Sequence, residues 1–312
     1  MSAPPAPGPR VGEPLATRAT PMGAALREGV LARPQGRLRF LTGGRGPALL
    51  LCHGFLGSAE NFEGWLPALL PRRTVVIPDL PGFGVSAPLP GLHTAAALAD
   101  EMVALAGSLG HDRYDLAGLC LGASVALAVA EARPAAASSL ILHTPLLDPT
   151  VVRRRFRRQV RTFTAPGVFS TITWLARRRR VSDWYKRHVT EGVEVDPGPA
   201  QVNFDNQLRA SPRAARAWLR DGLARDFRAR VAGWDRPVLL MVAADDRIVD
   251  VPRLVELVAP HTQIELEVVS AAGHGWTAEF VARQQALLAS FLDRVDGGDP
   301  AAPPVPGSRG GS

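Results

Sequence analysis

"YDLAGLCLGASVALAVAEA", residues 114–132, is the stretch whose reading decides the fold of this chain. Its opening, "YDLAG", is a short apolar run of strand character. "LGASVALAVAEARP", beginning just after Cys120, is a helix former that halts before Pro134. Between them Gly118-Leu119-Cys120-Leu121-Gly122 sets one reactive side chain between two glycines. A strand that turns directly into a helix crowds the residues flanking the turn. Glycines relieve that crowding and hold the central side chain out above the sheet. With 30 Gly and 2 Cys in 312 residues, Gly-x-Cys-x-Gly is expected by chance roughly 0.02 times. The helix that follows aims its N-terminus at Cys120, a field that favours a thiolate.

Working outward, further apolar runs read as strands. "GVLARP" (29–34) and "GRLRFLT" (36–42) form a pair about Pro34-Gln35-Gly36. "PALLLCHGF" (47–55), "TVVIPDLPGFG" (74–84), "SLILH" (139–143), "PVLLMVA" (237–243) and "IELEVVS" (264–270) read as buried strands of a sheet. Helical patterns alternate with them: "TAAALADEMVALAGSLG" (94–110), "VPRLVELVAP" and "WTAEFVARQQALLASFLDRV". This alternation predicts an α/β domain with a mostly parallel sheet, whose working residues sit on loops at the strand C-terminal ends.

The boundaries follow from composition. Residues 1–27 and 296–312 are rich in Pro, Gly, Ala and Ser and are expected to be disordered tails. Residues 28–146 and 233–295 form the α/β core, and 147–232, helical and arginine-rich, are an insertion within it. Trp174, Trp184, Tyr185 and Trp218 are read as packing residues of that insertion. Cys52 and Cys120 make neither a secreted disulfide framework nor a zinc site. Cys52 reads as a core residue, although a redox bridge to Cys120 is conceivable. The sequence contains no signal-like segment and no transmembrane run, so a cytoplasmic location is expected. The net charge is +7, and of 36 lysines and arginines only Lys186 is a lysine. That skew suggests GC-rich coding as one source of the basicity. The excess between 147 and 190, including Arg177–Arg180, is either a solvated face or a docking surface for an anionic partner. Nucleic acid is disfavoured, because no nucleic-acid fold accompanies the charge.

A thiol nucleophile needs a base and an acid that orients it. His274, in "SAAGHGW", follows the last strand and is the expected base. His143 is a weaker candidate, and His93, His111, His188 and His261 read as surface residues. Asp246, in "AADDRIVD", is preferred over Asp245 as the acid, with Asp148 behind both. An oxyanion formed at Cys120 would meet the backbone N–H groups of Leu121 and Phe55. His53 and Gly54 beside that loop, with Trp276, are the candidate substrate contacts. A backbone-holding role for His53 is the competing reading.

Taken together, "LLLCHGF", "IPDLPGFGVS", "AGLCLGAS", "AADDRIV" and "AAGHGW" resemble the motifs of the α/β-hydrolase family over roughly residues 28–295. The resemblance implies an α/β-hydrolase sheet, makes the insertion 147–232 a helical cap over the pocket, and implies a Cys120–His274–Asp246 triad without metal or cofactor. Most members carry serine in the elbow, and a minority carry cysteine. The implied chemistry is acyl transfer through a thioester: hydrolysis of an ester, lactone or thioester, or transfer to another acceptor. The substrate would be a small acyl compound, either free or carried on coenzyme A or an acyl-carrier protein. Elimination or C–C bond cleavage on the same fold, and a non-catalytic binding relative, are the competing readings.

Overall fold

The computed structural model describes residues 15–19, 25–165, 167–176, 178, 206–269 and 278–297. Nine strands form one sheet: β1 (Leu15–Ala19), β2 (Ala25–Arg33), β3 (Gly36–Gly44), β4 (Ala48–Cys52), β5 (Thr74–Pro78), β6 (Tyr114–Leu119), β7 (Ala137–His143), β8 (Val238–Ala243) and β9 (Ile264–Val269), in spatial order β1-β2-β3-β5-β4-β6-β7-β8-β9. The first three strands pair antiparallel, β3 meets β5 antiparallel, and every pair from β5 to β9 is parallel.

The central strands are apolar at every position because both their faces are covered. Alternate residues of β4 go to opposite layers. Leu50 and Cys52 pack with helices α2 (Ala95–Ser108) and α3 (Gly122–Ala132). Leu49 and Leu51 pack with α1 (Leu66–Leu69) and α9 (Ala278–Gly297). Chain direction reverses about β4: the next strand, β5, lies on one side of it and β6 on the other. In open α/β sheets such a switch point opens a crevice beyond the strand C-termini. At this edge of the sheet His53-Gly54-Phe55 follow β4 and Cys120 follows β6.

Between β7 and β8 the described residues are helical, with α4 (Arg154–Phe163), α5 (Val168–Ala176), α6 (Pro212–Ala224) and α7 (Arg228–Ala232); α8 (Val251–Val258) then joins β8 to β9. Helix α6 begins on Ser211, whose hydroxyl accepts the Ala214 N–H, with Pro212 in its first turn. Its inner face (Ala214, Ala215, Trp218, Leu219, Gly222) is buried. Trp218 is fully buried and donates from Nε1 to Ser124 Oγ at 3.3 Å, while a side-chain carbon on Gly222 would lie 2.3 Å from Leu121 Cδ1. Trp174, expected to pack, is instead 55 % exposed, with the Arg178 guanidinium 4.2 Å over its ring. Trp184 and Tyr185 lie outside the described residues.

The expected N-terminal tail, 1–27, is corrected at two places. Leu15–Ala19 is a strand, and β2 starts at Ala25 rather than near residue 29. The antiparallel ladder to β1 satisfies backbone groups on the edge of β2 that would otherwise stay open, a long-range pairing that local composition does not report. At the other end α9 runs to Gly297, past the expected boundary at 295, and Asp296 there accepts two bonds from Arg73 at 2.8 Å.

His93, expected at the surface, is fully buried; its Nε2 accepts the Leu89 N–H at 2.9 Å, and burial, with Arg213 nearby, pushes it down to about 4. Unfolding returns it to the ordinary imidazole value near 6.5, so below that pH the unfolded chain binds the extra proton. Stability due to His93 is therefore complete above about pH 6.5 and lost as pH falls towards 4. Chemical denaturation between pH 6.5 and 4.5 should show a loss of up to about 1.4 kcal/mol per pH unit from this group alone. His93→Gln, which keeps an acceptor for Leu89, should flatten the profile by that amount; an unchanged slope would contradict the assignment.

Candidate active site

Cys120 has φ +50°, a left-handed conformation that an L residue adopts only when its surroundings impose it. The imposing contacts are on the glycines beside it. A side-chain carbon on Gly122 would lie 2.1 Å from the Cys52 carbonyl oxygen and 2.4 Å from that of His53. On Gly118 it would lie 2.5 Å from the Ala123 Cα. The first turn of α3 thus presses directly on the end of β4. The Cys120 N–H donates to the His143 carbonyl at 2.8 Å, extending the β6–β7 ladder through the turn. Cys120 is partly exposed and its thiol is free. The N-terminus of α3, eleven residues long, begins two residues later, where its dipole favours negative charge.

Across the crevice, Gly54 adjoins the elbow: a side-chain carbon there would lie 3.5 Å from Cys120 Cβ. Among the described residues, neither the Phe55 N–H nor the Leu121 N–H is engaged in a hydrogen bond. Both expected oxyanion donors therefore have no acceptor among the described residues.

His53 does not contact a substrate space, contrary to one of its two sequence readings. It is fully buried; Nε2 accepts the Leu80 N–H at 2.9 Å, and Nδ1 lies 2.9 Å from the Gly54 carbonyl. Since Nε2 accepts, Nδ1 carries the proton and donates to Gly54. Burial pushes this imidazole below its usual range, which keeps Nε2 an acceptor. His53 therefore sets the path of the Gly54-Phe55 loop through backbone contacts.

Behind the loop lies a charged network that sequence reading missed. Arg39 Nη1 is 3.2 Å from both Asp79 oxygens, and Nη2 is 2.9 Å from Glu60 and 3.1 Å from Glu28. Asp79 also accepts the N–H groups of Ala59 and Val85. Burial alone would raise the Glu60 carboxyl; the Arg39 guanidinium outweighs it and holds that carboxyl below its usual range. Asn206, from the chain leading into α6, donates Nδ2 to Ser58 Oγ at 3.0 Å and to Glu60 Oε2 at 3.1 Å. The only sequence sign of this network was Asp79 in "IPDLPGFG". Its partners lie far away in the chain, so spacing could not reveal them.

At the end of β8, Asp246 is buried and Asp245 exposed. Asp246 Oδ1 accepts the N–H groups of Ile248 and Val249, each at 2.7 Å, which fixes the carboxylate; its carbonyl accepts from Arg153 Nε at 2.9 Å. Asp148 serves a different turn: Oδ1 accepts from the Thr150 N–H and Oγ1 and the Val151 N–H, while Oδ2 lies 3.3 Å from Arg228 Nε. His143 is packed against Trp65 and Phe280, and Thr144 Oγ1 is 3.0 Å from its Nδ1. His274 and Trp276 fall between Val269 and Ala278, outside the described residues. Cys52 is buried and carries a free thiol, pushed up by burial and unsuited to redox pairing. Among the described residues no group of three or more His, Cys, Asp or Glu could hold a metal ion, and no helix is long and apolar enough to cross a membrane.

The architecture matches known proteins. A family model described as the alpha/beta hydrolase fold matches residues 47–275. A protein of Yersinia enterocolitica assigned as a carbamate hydrolase, RutD, is 27% identical over 260 residues, covering 81% of this chain and 90% of its own length. The 2-hydroxymuconate semialdehyde hydrolase of Pseudomonas sp. strain CF600 is 24% identical over 277 residues, covering 81% and 89%. Among solved structures, the haloalkane dehalogenase DbeA of Bradyrhizobium elkani superposes with a TM-score of 0.71 at 18% identity, covering 88% of this chain and all of that one. That last likeness speaks for the fold alone. With the crossover at β4, the strained elbow and this match in hand, the chain belongs to the alpha/beta hydrolase fold family and is a hydrolase.

Proposed function

We propose that the chain is a thiol acyl-hydrolase in which Cys120 is the nucleophile, His274 the base and Asp246 the acid that orients it. One observation carries the reading: Cys120 is held in a strained conformation, at a helix N-terminus, beside two uncommitted backbone N–H groups. Such strain is sustained where it aims a side chain at something. A merely packed cysteine would need none of it, which weighs against the non-catalytic reading. One relative is assigned as a carbamate hydrolase, and a carbamate carries the kind of carbonyl this chemistry requires.

In the reaction, the Cys120 sulfur attacks the substrate carbonyl carbon while His274 takes the thiol proton. The resulting oxyanion lies between the N–H groups of Phe55 and Leu121. Its collapse expels the alcohol, amine or thiol, which takes its proton from His274, and leaves an acyl thioester on Cys120. Water, deprotonated by His274, then attacks the thioester and releases the acid. Asp246 is suited to orient the base because two backbone N–H groups already hold one of its oxygens. The insertion acts as a cap over this crevice: α6 lies against the first turn of α3. Sulfur, as a thioester-forming nucleophile, favours substrates that are themselves thioesters, small acyl groups on coenzyme A or on an acyl-carrier protein.

Intact-mass measurement after mixing with short acyl thioesters and activated esters should show one acyl adduct, located on Cys120. Cys120→Ala should give no adduct and lose at least about 10⁴-fold in kcat; retained turnover would end the proposal. Asp246→Asn keeps the turn acceptor at Oδ1 but not the charge, and should lower kcat by about 10³- to 10⁴-fold, as in other triads. Asp245→Asn should stay within about threefold, since its side chain is exposed. Reversal of that ranking in steady-state kinetics would move the acid role to Asp245.

A further inference from the structure

Helix α6 has two different faces. The inner face lies on the elbow helix, while Arg213, Arg216 and Arg220 project from the outer one. Two adjoining grooves flank it. The first, about 460 Å³, is lined by Leu92, Thr94, Arg213, Arg216, Arg220 and Asp221 among others. The second, about 420 Å³, is lined by Arg157 and Arg161 of α4 with Arg220, which the two share. Among the described residues none of these five arginines has an acidic partner in an ion pair. Arg213 donates to the carbonyls of Pro90 and Gly91, Arg220 to that of Thr164, and Arg157 to that of Pro149. Neutral carbonyls fix these guanidinium groups without cancelling their charge. The Nε of Arg216 is buried without a hydrogen-bond partner among the described residues, a cost normally offset by a ligand or water. Asp221, the one acid of the lining, is already engaged by Arg225 at 2.8 Å and by the Ala95 N–H at 2.7 Å.

We propose that these grooves bind the phosphate-bearing nucleotide end of a coenzyme A thioester, the substrate whose acyl carbon is delivered to Cys120. Arginine forks match phosphate oxygens bidentately. Arg213 and Arg220 are separated by seven residues, about 10 Å along the helix axis, which suits a ligand with phosphates at two places better than a single anion. The grooves are concave, as a small molecule requires. The identification of coenzyme A rests on the acyl-thioester reading of Cys120, whereas the anion site stands on its own geometry. Sequence reading had looked to Arg177–Arg180 for such docking. Arg157 and Arg161 belong to the 147–190 excess that the sequence pointed to, whereas Arg213, Arg216 and Arg220 share one helical face in a stretch whose charge excess is less conspicuous.

The test is calorimetric titration of the full chain with coenzyme A and with pantetheine, using wild type and Arg216→Gln/Arg220→Gln. Coenzyme A should bind the wild type and bind the double variant at least about tenfold more weakly, the scale of losing charged hydrogen bonds; pantetheine should not distinguish them. In turnover, the variant should raise KM for a short acyl-coenzyme A by a similar factor, with kcat for the matching acyl-pantetheine unchanged. Equal affinity of coenzyme A for both proteins would overturn the proposal. So would a variant that loses binding to an acidic acyl-carrier protein but not to coenzyme A. If neither thioester acylates Cys120, the nucleophile reading fails by itself, and the titration, which needs no turnover, still decides the fate of the grooves.

Discussion

The site depends on one close approach. The first turn of α3 meets the carbonyls that end β4, with 2.1 Å between the Cys52 oxygen and the place where Gly122 would carry a side chain. Because that space must stay empty, the chain passes from β6 into α3 within two residues. Cys120 takes up the left-handed turn that results. The same contact sets the helix N-terminus, the Leu121 N–H and the sulfur within one turn of each other. A larger residue at 122 would not merely weaken packing; it would collide with the Cys52 and His53 carbonyls and so disturb the turn that holds Cys120 and the Leu121 N–H together.

The opposite wall of the crevice is fixed by charge and by a neutral imidazole. His53, protonated on Nδ1, links the Gly54 carbonyl to the Leu80 N–H, so the loop from β4 and the turn after β5 move as one. Arg39 and its carboxylates tie that pair to β2 and β3. A buried ion cluster of this kind is costly to desolvate and contributes registration more than net stability. Asn206 extends the registration to the insertion, since the side chains it bonds, Ser58 and Glu60, directly follow the Gly54-Phe55 loop. The placement of the helical insertion and that of the Phe55 N–H are therefore not independent.

How much of this was legible in the sequence depended on the range of the interactions. The parallel sheet and the elbow were readable because their causes are local: fully buried strands are continuously apolar, and a tight strand–helix turn demands glycine at 118 and 122. The turn opened by Asp246 was readable in "AADDRIVD", and the bonds from Ile248 and Val249 are that turn. Strand β1 was not readable, because its place is decided by the open edge of β2. His93 looked polar and turned out to be a buried acceptor for the Leu89 N–H, a role that depends on where a curled segment returns, whereas the glycine turn beside His53 already suggested its backbone role. Trp174 shows the opposite error, an aromatic read as packing that the fold leaves outside.

Helix α6 joins the elbow helix to a charged surface. Its inner face is built of small residues around Trp218, and that composition lets it lie close to α3: Gly222 against Leu121, the indole N–H on Ser124. Ser124 in turn donates to the Leu121 carbonyl at 2.6 Å, so the helix touches the residue whose own N–H faces the crevice. The outer face carries charge that no acid in the described structure neutralises. Burying apolar surface on one side alone would have required only the inner face. That three arginines recur at one helical angle on the other is the feature for which packing gives no reason, and it is why function is sought there.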